Sequence, residues 1–486
     1  MTLRSSLRNP HDTSYLARVL LALGVLVSVS FVFITQNPYD SGDSIQHYLF
    51  ARFAPEHPLN LLHSWAKPFF TLLLVGPAQL GYRAVMLWQC SLVAASAWLS
   101  YWVAERLKIP YAALAIVLCY TAPDYFRIQF SGLTEPLFGF MLIAGIALLV
   151  SGRAGWSAAL VSWLPFVRSE GFMFLGLWVV CLGWQRQWRA LPLLLLGYVT
   201  YSAVGAVVLG EPGWVFGRNA YPTISQYGHG SWKTYLVGLL YLLGWVSTVL
   251  VALSGVQLVW RAARRASWRN PLFPVELLVY AVVGVFVLAH TLFWVFGLFG
   301  SAGLTRVLAS LTPLLAIMAL QGLSCLLLLG RTALVQQRIA VGVAGFSFAF
   351  LFTGLHMEMR WVRDFGQPGD LALTEQAVSW YRQLPGRAHQ PVVLEQPAVA
   401  KALDLDIFDY KARPLAAAAG RLQLNKLPPG TFVFWDEWFS TVEGGLPLDS
   451  LQKNPHFRQR WAGRTLRQAD DEGSGICQLI VFEKLN

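Results

Sequence analysis

Two carboxylates three residues apart, Asp40 and Asp43, sit in the stretch Asn37-Pro38-Tyr39-Asp40-Ser41-Gly42-Asp43-Ser44-Ile45-Gln46-His47-Tyr48, directly after a first apolar run. The pair stands where the chain turns into a new helix, so Asp43 or Ser44 can cap free backbone donors there. One cap needs one side chain. A second acid points to a general base, or to a carboxylate pair that suits a divalent cation such as Mg²⁺ or Mn²⁺. The loop continues through His57-Pro58 and His63-Ser64-Trp65-Ala66-Lys67-Pro68. His63 and Trp65 fit an interfacial belt of amphipathic rings, whereas the Lys67 ammonium suits a phosphate.

Further along, Glu135 opens a helix in Thr134-Glu135-Pro136, where a carboxylate complements the helix dipole. With Asp124 and Arg127 close by in sequence, it also fits a polar site at the membrane boundary. Arg168 and Glu170 are harder to explain as surface charge. They interrupt an apolar stretch in Arg168-Ser169-Glu170-Gly171, and an ionisable pair at membrane depth is costly, hence a functional candidate. The plainer reading is a mutual ion pair that stabilises the break. His290 and Arg306 flank a late loop; Arg306 stands just inside an apolar run, where it can meet a lipid phosphate or snorkel to the interface.

The elements that position these residues are membrane helices. Of 486 residues, 55% are hydrophobic and 13% charged, against about 25% charged in an ordinary soluble domain. Apolar runs at about 19–34, 82–104, 111–124, 132–151, 191–209, 234–260, 274–297, 304–330 and 339–356 read as helices. Most are near the ~20 residues a bilayer requires. Residues 156–166 and 171–183 are too short to span and read as a hairpin whose tip is the Arg168–Glu170 break. Such a break is tolerated where protein or a wet cavity surrounds it.

This makes a polytopic α-helical membrane protein of about eleven helical segments. The net charge of +11 does not point to nucleic acid. The basic residues lie in short clusters between apolar runs, including Arg4, Arg8 and Arg18, Arg261 to Arg269, and Arg331 and Arg338. By the positive-inside rule these clusters are cytoplasmic, which places the N-terminus inside the cytoplasmic membrane and the C-terminus outside. From residue 357 the composition becomes ordinary. Residues 391–394, 431–435 and 478–483 read as strands and 370–384 as a helix. The chain therefore divides into a membrane domain, 1–356, and a small extracytoplasmic α/β domain, 357–486. Asp436-Glu437-Trp438 in the latter reads as a loop after a strand.

Taken in order, Asp40-Ser41-Gly42-Asp43, Thr134-Glu135-Pro136, Arg168-Ser169-Glu170-Gly171 and Thr305-Arg306-Val307-Leu308 resemble the motifs of the GT-C superfamily of membrane glycosyltransferases. His47-Tyr48-Leu49-Phe50 and His57-Pro58 are similar to bacterial family-39-like mannosyltransferases. The resemblance spans the topology of nearly the whole chain. It implies a donor sugar on a polyprenyl-phosphate carrier and a glycan, lipid or protein acceptor. It also implies activation of the acceptor by Asp43 or Asp40, and Lys67, Arg306 and Arg168 on the carrier phosphate. The Asp-x-x-Asp spacing differs from the tighter Asp-x-Asp or Glu-x-Asp of some members, so either acid can be the base.

Three other classes compete with this reading. A transporter or flippase of envelope lipids would favour internal repeats and acids at the bilayer midplane; no repeat is visible, and the acids cluster at the outer boundary. Another lipid-carrier enzyme, a polymerase or ligase, would use similar residues. A scaffold would leave Arg168, Glu170 and the loop aspartates without a role.

The alternation of basic clusters yields a first test. A cysteine at Ser450 is expected to react with an impermeant thiol reagent applied outside cells with a permeabilised outer envelope. Protection of that cysteine would overturn the topology.

Overall fold

The computed structural model describes residues 10–35, 39–218, 221–353, 369–386, 390–409, 424–466 and 476–485. The expected domain boundary at 356/357 and Asn37-Pro38 of the acidic motif lie outside the described residues. The chain separates into two compact units. One comprises residues 1–33, 61–74 and 83–360; the other, residues 34–60, 75–82 and 361–486.

The first unit is a helical bundle. Its principal elements are α1 (Pro10–Ile34), the first half of α3 (Pro68–Gln79), α4 (Tyr82–Arg106), α5 (Leu114–Tyr120), α6 (Pro123–Ile128) and α7 (Glu135–Val150). The short helices α8 (Ala154–Val161) and α9 (Gly171–Trp184) follow, then α10 (Leu196–Val208) and the single turn α11 (Trp214–Gly217). Helices α12 (Thr234–Ala262), α13 (Arg265–Trp268), α14 (Phe273–Val295), α15 (Thr312–Leu327) and α16 (Ala333–Thr353) complete it. Among the described residues seven helical stretches are long and apolar enough to cross a membrane, and three shorter apolar helices accompany them.

Exposure separates centre from rim. The stretch containing α15 is buried along most of its length, whereas α1 is mostly exposed. Leu26 and Phe33 on α1, Val256 and Val259 on α12 and Phe346 on α16 are large apolar side chains left outside. That pattern suits acyl chains as solvent, since no hydrophobic effect drives such residues inward in lipid. At the centre α12 crosses α15 so closely that a Cβ on Gly322 would stand 1.9 Å from the Leu250 carbonyl oxygen. Only glycine allows that backbone approach.

Two expectations change here. The run 111–124 is not one helix: it breaks at Thr121-Ala122 into α5 and α6, because Pro123 starts a new helix and cannot continue the old one. The run 304–330 begins with a 3-10 turn, Thr305–Leu311, before α15. The expected hairpin is present as α8, a 3-10 turn at Leu164–Phe166 and α9. Gly171 makes it possible, since a Cβ there would fall 2.3 Å from the Leu164 carbonyl carbon. Leu62, Phe166, Tyr201 and Trp214 pack together beside this bend.

The second unit is a four-stranded sheet with helices. Strands β1 (Val392–Leu394), β2 (Phe432–Asp436), β3 (Phe457–Leu466) and β4 (Ile476–Lys484) lie in the order β1-β2-β4-β3. The β1–β2 pair is parallel; β2–β4 and β4–β3 are antiparallel. Helix α17 (Gly369–Arg382) packs on β3 and β4, and α18 (Pro397–Leu403) follows β1. The core between strands and turns is Val393, Val433, Trp435, Leu451, Ile480 and Phe482. β3 is absent from the sequence reading because Arg458, Gln459, Arg460 and Arg464 obscure any apolar alternation. It is an edge strand, where charge is the usual protection against unwanted pairing.

This unit also contains α2 (Asp43–Arg52) from the first loop, and α18 packs against it. His57 Nε2 lies 2.7 Å from Asp406 Oδ2, with Phe408 against both Phe50 and His57. After β2, the buried Asp436 carboxylate accepts hydrogen bonds from the backbone N–H groups of Trp438, Phe439 and Ser440 and from the Ser440 hydroxyl. The bonds hold the turn at Phe439–Glu443.

Burial pushes the Asp436 carboxyl up to about 6, against the pull of those donors. A raised folded-state value means that the folded unit holds the proton more tightly. That stabilisation is present below about 3.8, the ordinary value, and is lost as pH rises through about 6. The resistance of this unit to proteolysis should therefore decline across that window. Asp436→Asn should flatten the profile, and its missing acceptor oxygen should destabilise the turn by ~1–3 kcal/mol, measured by thermal unfolding.

Candidate functional site

Within the helical unit, four of the sequence-derived residues converge. Arg168, at the hairpin break, places Nη1 2.7 Å from Glu135 Oε1, in the first turn of α7. The same nitrogen donates to Thr134 Oγ1 at 3.1 Å. Arg168 Nη2 donates to Glu170 Oε1 at 2.8 Å and Nε reaches the same oxygen at 3.2 Å. Glu170 Oε1 also lies 3.0 Å from His290 Nε2, on α14.

The side chains of Glu135, Arg168, Glu170 and His290 are 3%, 13%, 12% and 11% exposed, so all four are largely enclosed by protein. The ion pair expected across the break exists, and it is extended at both ends by residues from other helices. Glu135 pairs with Arg168; Arg127 pairs with its own neighbour Asp124, 3.9 Å away on α6.

Lys67 joins the same region through the residue between the pair. Its Nζ donates to Ser169 Oγ at 2.9 Å and lies 4.5 Å from the centre of the Tyr221 ring. The backbone at Lys67 is left-handed, with φ 64°. A bulky residue adopts that conformation at a cost, and such positions concentrate at functional sites. Lys67 is nonetheless buried, and its carbonyl accepts from Thr71 N in the first turn of α3. Position 67 therefore combines a strained backbone with an enclosed ammonium group.

His63 is exposed and Trp65 half-buried in the same loop, and the His63 Nδ1 accepts weakly from Ala66 N at 3.4 Å. Arg306 is half-buried in the turn before α15.

Asp40, Asp43 and His47 belong to the second unit. Asp40 Oδ1 accepts from Gly42 N at 3.1 Å and Ser44 N at 2.8 Å, so Asp40 caps the start of α2. The sequence assigned capping to Asp43 or Ser44; the earlier acid performs it, and Asp43 stands in the first helical turn. His47 is buried on the same helix. As a cation site the pair is sparse. Among the described residues no group of three or more His, Cys, Asp or Glu side chains could hold a metal, and one Asp40 oxygen already serves the backbone.

Sequence reasoning missed Thr134, Ser169 and Tyr221 as partners. Thr134 and Ser169 adjoin the charged residues and were legible as flanking hydroxyls; Tyr221 lies in a distant loop and carries no local signal.

The helical bundle with its small mixed sheet is a fold found in solved structures. Two crystal structures of ArnT from Cupriavidus metallidurans share it, one bound to undecaprenyl phosphate and one in the apo state. Each aligns with TM-score 0.63 over 96% of this chain, and over 97% and 98% of ArnT respectively, at 12% identity. The sequence matches no protein-family model and no curated protein.

Breaking the buried cluster should be costly. Arg168→Met would take the guanidinium from two enclosed carboxylates, leaving Glu170 with His290, and is expected to destabilise the bundle by ~3–5 kcal/mol, read from thermal unfolding in detergent. Lys67→Met removes no carboxylate partner within hydrogen-bonding reach and should leave the melting temperature much closer to wild type.

Proposed function

We propose that this protein is a glycosyltransferase that moves a sugar from a polyprenyl-phosphate-linked donor to an acceptor at the outer face of the cytoplasmic membrane. The observation that carries the reading is the fold shared with ArnT along almost the entire chain, in a protein whose crystal structure holds undecaprenyl phosphate. The sugar is a hexose, with mannose suggested by the family-39-like motifs, and the acceptor is a glycan, lipid or protein.

Residue chemistry supports distinct roles. The Lys67 ammonium, enclosed and held by one hydroxyl and an aromatic face, suits the growing charge of a departing phosphate. Arg306 suits the carrier phosphate before transfer. Arg168 already engages two carboxylates and a hydroxyl; it orders the Lys67 neighbourhood rather than binding phosphate itself. Glu135, Glu170 and His290 complete that frame, while Arg127, His63, Trp65 and His47 are candidate contacts to donor or acceptor.

Because Asp40 is committed to the helix cap, Asp43 is the proposed base. Its carboxylate takes the proton of the acceptor hydroxyl as that oxygen attacks the anomeric carbon. The bond from that carbon to the carrier phosphate breaks, and its electron pair leaves with polyprenyl phosphate. A Mg²⁺ or Mn²⁺ ion at Asp40 and Asp43 would draw its other ligands from water and substrate and would offset phosphate charge. The proton transfer above needs none.

Purified protein in lipid nanodiscs should release carrier phosphate from one member of a panel of undecaprenyl-phosphoryl sugars. Asp43→Asn keeps size and should fold normally while losing ~10²–10⁴-fold in transfer rate. If Asp43→Asn turns over normally and Asp40→Asn folds but is inactive, the base is Asp40. Full activity in both variants and in their double would remove the assignment.

A further inference from the structure

With Asp43 as the base, its bearing matters, and α2 is a helix of only ten residues. Several contacts fix the first turn of that helix, all inside the second unit. The Ser44 Oγ shares a hydrogen bond with the Tyr82 hydroxyl, with Ser44 fully enclosed and Tyr82 nearly so. The Tyr82 ring stands edge-on to Tyr48, one turn further along α2, with centroids 5.3 Å apart. The ammonium of Lys401, on α18, lies 4.5 Å from the centre of the same ring. At the other end of the turn, Gly42 backs onto Phe439, and a Cβ there would fall 2.9 Å from that ring. Phe439 is itself held by the Asp436 carboxylate.

We propose that Tyr82 is a positioning residue for transfer: gripped through its ring by Lys401 of the C-terminal segment, its hydroxyl fixes Ser44 and thereby aims the adjacent Asp43. This rests on the assignment of Asp43 made above. The geometry supports it because Ser44 immediately follows Asp43 on the helix, and each residue of an α-helix is separated from the next by ~100°. A rotation of the first turn that loosened Ser44 would swing Asp43 through the same angle. Because the bond is buried, water cannot readily replace it. The C-terminal segment thus contributes to the chemistry by holding α2, without supplying a reacting group.

Tyr82→Phe is the direct test, since it keeps the ring contacts and deletes only the hydroxyl. With the active undecaprenyl-phosphoryl sugar, it should lower kcat by roughly 10- to 100-fold, the scale of a small misplacement. KM for the donor should stay near wild type, and the melting temperature should fall by no more than the few degrees that one buried hydrogen bond is worth. Ser44→Ala should cause the same loss, and the double variant no more, because each removes the bond that the two hydroxyls share. Lys401→Met should lower kcat and Lys401→Arg, which restores a cation over the ring, should recover it. A readout independent of any donor is a nitroxide on Asp43→Cys, expected to be immobile with Tyr82 and mobile with Tyr82→Phe. Wild-type kcat and an immobile label in Tyr82→Phe would overturn the proposal, as would losses that multiply in the double variant. If Asp43→Asn is inactive while Tyr82→Phe is normal, only the positioning role fails; if Asp43→Asn is fully active, the base assignment fails and this role falls with it.

Discussion

An arginine cannot rest in hydrocarbon without partners, and the organisation of the helical unit follows from how Arg168 finds them. Even on lenient scales a lone charge at a helix centre costs ~2.5–3.5 kcal/mol. Here Glu135 comes from the start of α7, Glu170 from the far side of the same break, and His290 from α14, 120 residues away. Three helices are thereby committed to one point. The hairpin bend is enclosed by charge pairing on one side and by Phe166, Tyr201 and Trp214 on the other. A break in a membrane helix requires just such enclosure.

The same pairing separates two kinds of positive charge. Arg168 is a frame member, with donors directed at fixed acceptors. Lys67 is held by a single hydroxyl and an aromatic face, in a backbone conformation that lysine rarely adopts. Binding a mobile anion favours the second arrangement, since a ligand that must arrive and depart competes poorly against two resident carboxylates. Asp40 serves the backbone of α2, while Asp43 is presented by the helix that Asp40 caps.

Much of the membrane architecture was legible because a bilayer imposes a length and a polarity on each element. The hairpin was legible for the opposite reason: Arg168 and Glu170 contradict an apolar context, and a contradiction of that cost must have a structural answer. Partners from distant helices left no such mark. His290 reads as a boundary histidine, and nothing near it signals Glu170. The helix α3 is apolar but, at 12 residues with Pro77 inside it, is too short to read as a span, and β3 is held by backbone pairing that its arginines conceal. Tyr82 opens an ordinary apolar helix, so its bond to Ser44, 38 residues earlier, depends on tertiary placement alone.

The second unit draws on residues 34–60, 75–82 and 361–486, and that discontinuity bears on how the protein is made. A ribosome adding about 5–20 residues each second delivers the first loop about 300 residues before its sheet begins. For some 15–60 s, α2 is without α18, and His57 without Asp406. The packing around α2 is consequently completed only after every helix of the bundle has been synthesised. A chain that stalls or is cut after α16 would carry the whole membrane bundle yet lack the surface on which α2 settles. Synthesis of α18 is then the step that gives α2 its packing surface.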